Sequence, residues 1–125
     1  REWIFTEDHC RAIDLIAQKG NLGEVYNIGT GHRVPNLEVT KKLIELTGRG
    51  EDAIEYVNDR PGHYRRYAIN SNKLRSELGW EPQTTFEEGL AKTVEWYKQN
   101  REWVDRCRTG AYKEYYEQQY GNRYE

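Results

Sequence analysis

The sequence predicts an α/β fold that is mainly helical with a few short strands, and three observations predict it. Apolar residues recur at helical spacing in several separate stretches that run up to glycines. Short runs of aromatic and β-branched residues, also bounded by glycine, lie between them. A threonine followed three positions later by glutamate opens the most regular of the helical stretches, the pattern of a capping box.

Arg1 to Phe5 is aromatic and extended in character, and Thr6 offers a capping hydroxyl ahead of Glu7 and Asp8. Cys10, Ile13, Ile16 and Ala17 then keep helical spacing, and Gly20 after Lys19 predicts a left-handed stop. Gly23 to Ile28 reads as a strand packed on both faces, followed by the Gly29-Thr30-Gly31 turn. Asn36 is the expected cap of a second helix, with Leu37, Val39, Leu43, Ile44 and Leu46 as its apolar stripe and Gly48 as its end. Ile54 to Val57 reads as a strand, Arg60-Pro61-Gly62-His63 as a turn, and Tyr67 to Ile69 as extended chain. Asn70 or Ser71 caps a short helix that turns Leu74 and Leu78 inward before Gly79-Trp80. Thr85-Phe86-Glu87-Glu88 is the capping box, and Phe86, Leu90, Val94 and Tyr97 follow at helical intervals. From Arg101 the pattern is again helical, interrupted by Gly110, with Tyr112, Tyr116 and Tyr120 four apart.

Composition narrows the function classes. The 125 residues carry 19 basic and 21 acidic side chains, a formal net charge of -2. No chain-wide positive field results, so a nucleic-acid partner is not expected and any anion site is local. Hydrophobic residues are 36 % and aromatics 13 %, enough large apolar bodies to argue against disorder. No apolar run reaches the length of a membrane span and no signal pattern opens the chain, so no membrane role is predicted. The two cysteines, Cys10 and Cys107, lack metal-ligand spacing, which predicts free thiols in a reducing cytoplasm and no metal. With no methionine and an opening that reads as the inside of a strand, the chain is expected to be a piece of a longer protein.

The stretch Asp59 to Tyr67 holds the most informative chemistry. Pro61 fixes its φ and Gly62 accepts the positive φ of a type II turn, which predicts Arg60 and His63 within about 7 Å at their Cα atoms. A guanidinium fork, an imidazole and a glycine that permits close approach suit a phosphate or diphosphate. The same local chemistry also fits a surface turn in which Arg60 pairs with Asp59 and His63 is solvated. Asn36 is double-edged too, since a capped helix N-terminus also presents N–H groups to an anion or a base carbonyl. His9 reads as a structural partner of its helix end. Tyr112, Tyr115 and Tyr116 read as packing residues, whereas Tyr120 lies outside any apolar stripe. Cys107 between Arg106 and Arg108 has no placed base and is a poor nucleophile. Neither a glycine-rich dinucleotide cradle nor a YxxxK pair occurs, so no cofactor-binding and no catalytic residue is expected in this segment.

Trp3-Ile4-Phe5-Thr6-Glu7-Asp8-His9, Gly23-Glu24-Val25-Tyr26-Asn27-Ile28-Gly29, Asn36-Leu37-Glu38-Val39, Asp59-Arg60-Pro61-Gly62-His63, Arg65-Arg66-Tyr67-Ala68-Ile69 and Glu77-Leu78-Gly79-Trp80 can now be taken together. In order and spacing the chain closely resembles the C-terminal part of the dTDP-glucose 4,6-dehydratases, over essentially its whole length. These are extended short-chain dehydrogenase/reductases (SDRs), NAD-dependent epimerase/dehydratase relatives in which a Rossmann-type domain binds NAD and the C-terminal portion binds the nucleotide sugar. The Tyr-Asn-Ile-Gly and Leu-Gly-Trp pieces are shared with other sugar-nucleotide enzymes, and the Arg-Pro-Gly-His stretch is the specific one. The resemblance implies that residues 1–31 form a strand, helix and strand completing the Rossmann-type sheet, and that residues 32–125 form the nucleotide-sugar-binding subdomain. It implies that Arg1 and Asn36 contact the substrate, that Asp59, Arg60, Pro61, Gly62 and His63 form its binding loop, and that Tyr120 closes on it. It implies dTDP-glucose or a related nucleotide sugar as ligand, a homodimer for the full-length protein, and NAD held by the N-terminal domain. In such enzymes NAD oxidises C4, water leaves across C5 and C6, and hydride returns to C6; this segment alone is expected to be inactive. Tyr64 departs from the family, which more often has Asp there, and His32-Arg33 replace its usual Asn-Glu. Another sugar-nucleotide epimerase or dehydratase, or a non-catalytic nucleotide-binding module, are the alternatives.

Overall fold

The computed structural model describes residues 1–108 and 116–118; residues 1–108 form five α-helices joined by irregular chain, and 116–118 are helical. In order they are α1 (Thr6–Lys19), α2 (Asn36–Thr47), a single 3-10 turn (Glu51–Ala53), α3 (Asn72–Leu78), α4 (Phe86–Gln99) and α5 (Arg101–Cys107). Helix α1 packs on α3, and α2 on α4. The core centres on Ala12, Leu74 and Trp80, with Ile4, Leu15, Ile16, Tyr26, Ile28 and Leu78 packed against it. The spacing of Ala12, Leu15 and Ile16 explains why α1 forms: they share one face, and that face meets α3. Val39 and Val94 are buried on α2 and α4.

The α2–α4 pair is bridged by Lys42 Nζ to Glu87 at 3.2 Å, and by Lys98 Nζ donating to the Leu46 carbonyl at 3.1 Å. Gly89 lets residue Phe5 lie against α4, since a Cβ there would stand 3.0 Å from the Phe5 Cβ. Asp8 does the corresponding work for α1. Its carboxylate is fully buried, pairs with Arg11, and accepts the Gln83 and Thr84 N–H groups at 2.9 and 3.0 Å. It thereby ties α1 to the loop that starts α4.

The capping box is present in both halves: the Glu88 N–H donates to the Thr85 hydroxyl at 3.3 Å, and the Thr85 N–H donates to the Glu88 carboxylate at 3.1 Å. Gly48 ends α2 at φ 67°, a left-handed value that glycine adopts without strain.

Several expectations are corrected. No strand forms among the described residues: at 1–5, 23–28, 54–57 and 67–69 the pairing is limited to an antiparallel bridge between Glu2 and Arg33. Of the strand, helix and strand expected over 1–31, the helix is formed within this chain and the two flanking runs have no ladder partner in it. A strand needs a neighbour to complete its ladder, and side-chain pattern alone does not supply one. Nor is 23–28 packed on both faces, for Tyr26 and Ile28 meet the core while Val25 is 78 % exposed. Phe5, not Thr6, occupies the cap position of α1, and Pro35, not Asn36, that of α2. In each case the helix starts one residue early because the preceding carbonyl already accepts the first helical bond, as Phe5 O does from His9 N and Pro35 O from Val39 N. Gly20 ends α1 at φ -68°, not left-handed. Glycine serves there for proximity, because a Cβ would stand 2.6 Å from the Ile16 carbonyl oxygen. Among the described residues no helix is long and apolar enough to cross a membrane.

Candidate functional site

Residues 54–70 have no regular structure, and their shape comes from one turn and a few polar contacts. Gly62 sits at φ 72°, the value a type II turn demands of its third residue. Asp59 braces that turn: its Oδ1 accepts the Arg60 N–H at 2.8 Å and the His63 Nδ1–H at 2.7 Å. The far nitrogen of the ring, Nε2, meets the Arg1 guanidinium. A guanidinium can only donate, so Nε2 accepts and the ring proton belongs on Nδ1, facing Asp59. The Arg1 guanidinium carbon also lies 4.3 Å from the centroid of Tyr67, whose ring meets Tyr64 edge-on at 5.9 Å.

A continuous series results: carboxylate, imidazole, guanidinium, aromatic face. The hydrogen bond from His63 is the main reason the Asp59 carboxyl is held below its ordinary value, with the Arg60 N–H and the Arg60 charge acting in the same direction. Arg1 and His63 are half-buried while Asp59 is exposed, so the charges are shielded from solvent on the Arg1 side. Such a group presents positive charge and N–H donors to an anion at the surface.

Of the residues the sequence singles out, Arg1, Asp59 and His63 are brought into contact, 62 positions separating Arg1 from His63. The pairing within the turn is different from that expected. The donor that joins His63 is Arg1, and the Arg60 side chain forms no hydrogen bond or ion pair among the described residues. The reason is Asp59, which draws the ring of His63 back across the turn. Arg60, Pro61 and Gly62 are exposed at the tip. Asn36 is exposed at the start of α2, two residues beyond Val34, whose N–H donates to the Arg1 carbonyl at 3.0 Å. Tyr120 lies outside the described residues.

One residue escaped the sequence reading. Glu2, next to Arg1 in the chain, accepts the Gly31 N–H at 2.9 Å and the Ile69 N–H at 3.2 Å. Its one sequence signal is a carboxylate between Arg1 and the aromatic and apolar run Trp3-Ile4-Phe5. A recess of about 160 Å³ lined by Glu2, Gly29, Thr30 and Tyr67 to Ile69 adjoins this group. A larger cleft, about 600 Å³, lies elsewhere, between Trp3, Phe5, His32, Thr85 and Phe86. None of Asp59 to His63 lines it, and among the described residues its lining holds the carboxylate of Glu87 and no lysine or arginine, so an anion is better served by the Arg1–His63 group.

Comparison with known proteins gives a consistent picture. Residues 1–93 match the family model described as GDP-mannose 4,6 dehydratase. The chain is 44 % identical to the dTDP-glucose 4,6-dehydratase of Salmonella typhimurium, over 98 % of this chain and 36 % of that protein. Among solved structures, dTDP-glucose 4,6-dehydratase from Bacillus anthracis in complex with NAD superposes with a TM-score of 0.76 at 51 % identity, covering 82 % of this chain and 32 % of that one. DesIV, a dTDP-glucose 4,6-dehydratase from Streptomyces venezuelae with NAD and TYD bound, superposes with a TM-score of 0.78 at 45 % identity over the same shares, 82 % and 32 %. The chain thus spans about a third of the length of the relatives it matches.

Proposed function

The chain belongs to the GDP-mannose 4,6 dehydratase family and has the fold of a segment of a Rossmann-type extended SDR, and from that premise we propose that it is the nucleotide-sugar-binding portion of a dTDP-glucose 4,6-dehydratase. In this reading the whole enzyme is a hydro-lyase that converts dTDP-glucose to dTDP-4-keto-6-deoxyglucose with loss of water, and this portion is inactive alone. The observation that carries it is the Arg1–His63–Asp59 series at the Pro61-Gly62 turn.

Arg1 spends one nitrogen on His63 and keeps its remaining N–H donors for oxygens of a diphosphate, while Tyr67 holds the guanidinium plane from one side. Arg60 stands at the tip with its fork uncommitted, ready to close on the same anion. Asn36 supplies an amide at the start of α2 for the nucleotide, and Tyr120 is proposed to complete the site from the tail. Residues 32–125 are thus the nucleotide-sugar-binding part and residues 1–31 the part that joins the Rossmann-type sheet, with Arg1 reaching across the boundary. Binding energy gathered on the nucleotide, away from the reacting bonds, is then available to orient the glucose ring.

NAD, when bound, supplies a hydride acceptor and returns the hydride. The residues here do not fit it. The Gly29-Thr30-Gly31 turn lies against Glu2 and α2 begins only at Asn36, so no helix N-terminus stands behind the glycines to receive a pyrophosphate. The cofactor is therefore assigned to the remainder of the enzyme, as are the proton transfers of the elimination.

Calorimetric titration of the 125-residue chain with dTDP, UDP and GDP tests the reading. It predicts preferential uptake of dTDP, weakened roughly ten- to a hundredfold in Arg1→Ala or His63→Ala, and no 4-keto-6-deoxy sugar when dTDP-glucose and NAD are added. Equal binding by the variants would overturn the site, and turnover by this chain alone would overturn the division of labour.

A further inference from the structure

We infer that Glu2 is a positioning residue that fixes Arg1 and Tyr67 against one another. Its side chain is only 8 % exposed, and both carboxylate oxygens are in use. Oε1 accepts the Gly31 N–H at 2.9 Å, Oε2 accepts the Ile69 N–H at 3.2 Å, and Arg33 Nε lies 3.9 Å from Oε2. Three segments far apart in sequence therefore meet at one carboxylate: the opening residues, the 29–33 turn and the end of the 54–70 stretch.

Neighbouring bonds fasten the same place. The Ser71 hydroxyl donates to the Gly29 carbonyl at 2.8 Å, the Thr30 hydroxyl to the Trp3 carbonyl at 3.0 Å, and Arg75 Nη2 to the Thr30 carbonyl at 3.1 Å. Gly29 leaves the necessary room, since a Cβ there would stand 2.4 Å from Glu2 Oε1 and 2.8 Å from the Ile69 Cγ2. Arg1 is one residue before Glu2 and Tyr67 two before Ile69, so the bond that joins Glu2 to Ile69 also sets the 4.3 Å contact of the Arg1 guanidinium with the Tyr67 ring. A carboxylate suits this point better than an amide, because the groups that converge on it are all donors and an amide nitrogen accepts from none of them. Glu2 spends its oxygens on backbone and is not proposed to touch ligand. What Arg1 holds rests on the function proposed above; where Arg1 is held does not.

Glu2→Gln preserves shape and replaces one acceptor by a donor. In the 125-residue chain, amide exchange followed by NMR reads the clamp with no ligand present. Whichever of the Gly31 and Ile69 amides faces the new NH2 group is expected to exchange about tenfold faster, the scale of one hydrogen bond to a charged group. The contact between Arg1 side-chain protons and the Tyr67 ring should weaken together with it, while the Leu74 amide in α3 keeps its protection. Affinity for dTDP should fall by about the same factor, and Glu2→Asp, which keeps the charge one methylene shorter, should recover part of both losses. Unchanged exchange at both amides overturns the inference, as does faster exchange with dTDP affinity intact. If the wild-type chain takes up no dTDP, the functional reading fails, and the exchange rates and the Arg1–Tyr67 contact alone decide the positioning role.

Discussion

The helical body and the 54–70 stretch are held in opposite ways. In the body, Ala12 and Leu74 are completely buried, Trp80 nearly so, and helices α1 and α3 share that apolar contact. In the stretch, Ile54 and His63 are the half-buried residues and the others are exposed. Among the described residues its conformation depends on polar attachments: Asp59 to His63, His63 to Arg1, Ile69 to Glu2, and the Asn70 carbonyl to the Asn27 amide. Apolar burial is large in free energy and indifferent to ligand and pH, whereas a few ionisable contacts at the surface are small and responsive to both. The part proposed to bind an anion is thus the part least committed by packing.

The largest effect expected from this contrast is on stability. Leu74→Ala removes a fully buried side chain from between α1 and α3 and should cost about 2–5 kcal/mol. Tyr64→Ala, at a side chain 71 % exposed in the stretch, should stay within about 0.5 kcal/mol. Urea unfolding of the two variants measures the difference. Comparable losses would break the contrast, because they would mean that the stretch contributes core.

A buried polar tie sharpens it. Asp8 belongs to the body, yet like Asp59 it acts by collecting donors, here the Gln83 and Thr84 N–H groups and Arg11. Burial changes the stakes. Asp8→Ala leaves two backbone N–H groups without their acceptor, and a loss of about 2–3 kcal/mol is expected, read as a lower urea midpoint. If the loss is no larger than that of Tyr64→Ala, the carboxylate is dispensable to the α1–α4 junction and burial is not what separates the two regions.

What could be read from the sequence follows the same division. The capping box at Thr85 and Glu88 and the stop at Gly48 were legible because each depends on residues within one or two turns of one another. The positive φ of Gly62 was legible for the same reason. The strands were not, because a ladder requires a partner that local pattern cannot supply. The face of α1 was misplaced: of Cys10, Ile13, Ile16 and Ala17 only Ile16 packs on the core, beside Ala12 and Leu15, because more than one helical register fits the apolar residues of that stretch. The caps of α1 and α2 were misplaced by one residue since a backbone carbonyl, which every residue has, did what a side chain was expected to do. In the site, the turn was foreseen but its partner was not: Arg1 and His63 are joined across 62 positions, and Glu2 gathers amides from two further segments. The sequence resemblance supplied Arg1 as an expected ligand contact, while its pairing with His63 came from the structure.

The smallest effect concerns two exposed carboxyls, one in each region, both held below their ordinary values for different reasons. Glu88 is lowered chiefly by the Thr85 hydroxyl and then by the Thr85 N–H, a cause contained within its own capping box. Asp59 is lowered chiefly by the hydrogen bond from His63, which is itself fastened to Arg1. For either group the folded value lies under the unfolded one, so the stabilising contact is fully present above the ordinary carboxyl range and is lost as pH falls through the lowered folded value. Carbon-detected NMR of the side-chain carboxyls follows both in one titration. His63→Ala should move Asp59 upward toward its ordinary 3.8 and leave Glu88 where it was, while Thr85→Ala should do the reverse. Arg1→Ala should also shift Asp59, more weakly, because it frees the ring of His63 without removing it. A response of Glu88 to His63→Ala would mean that the two regions share their electrostatics. An Asp59 that ignores His63 would remove the brace from the turn, and with it the reason His63 faces Arg1.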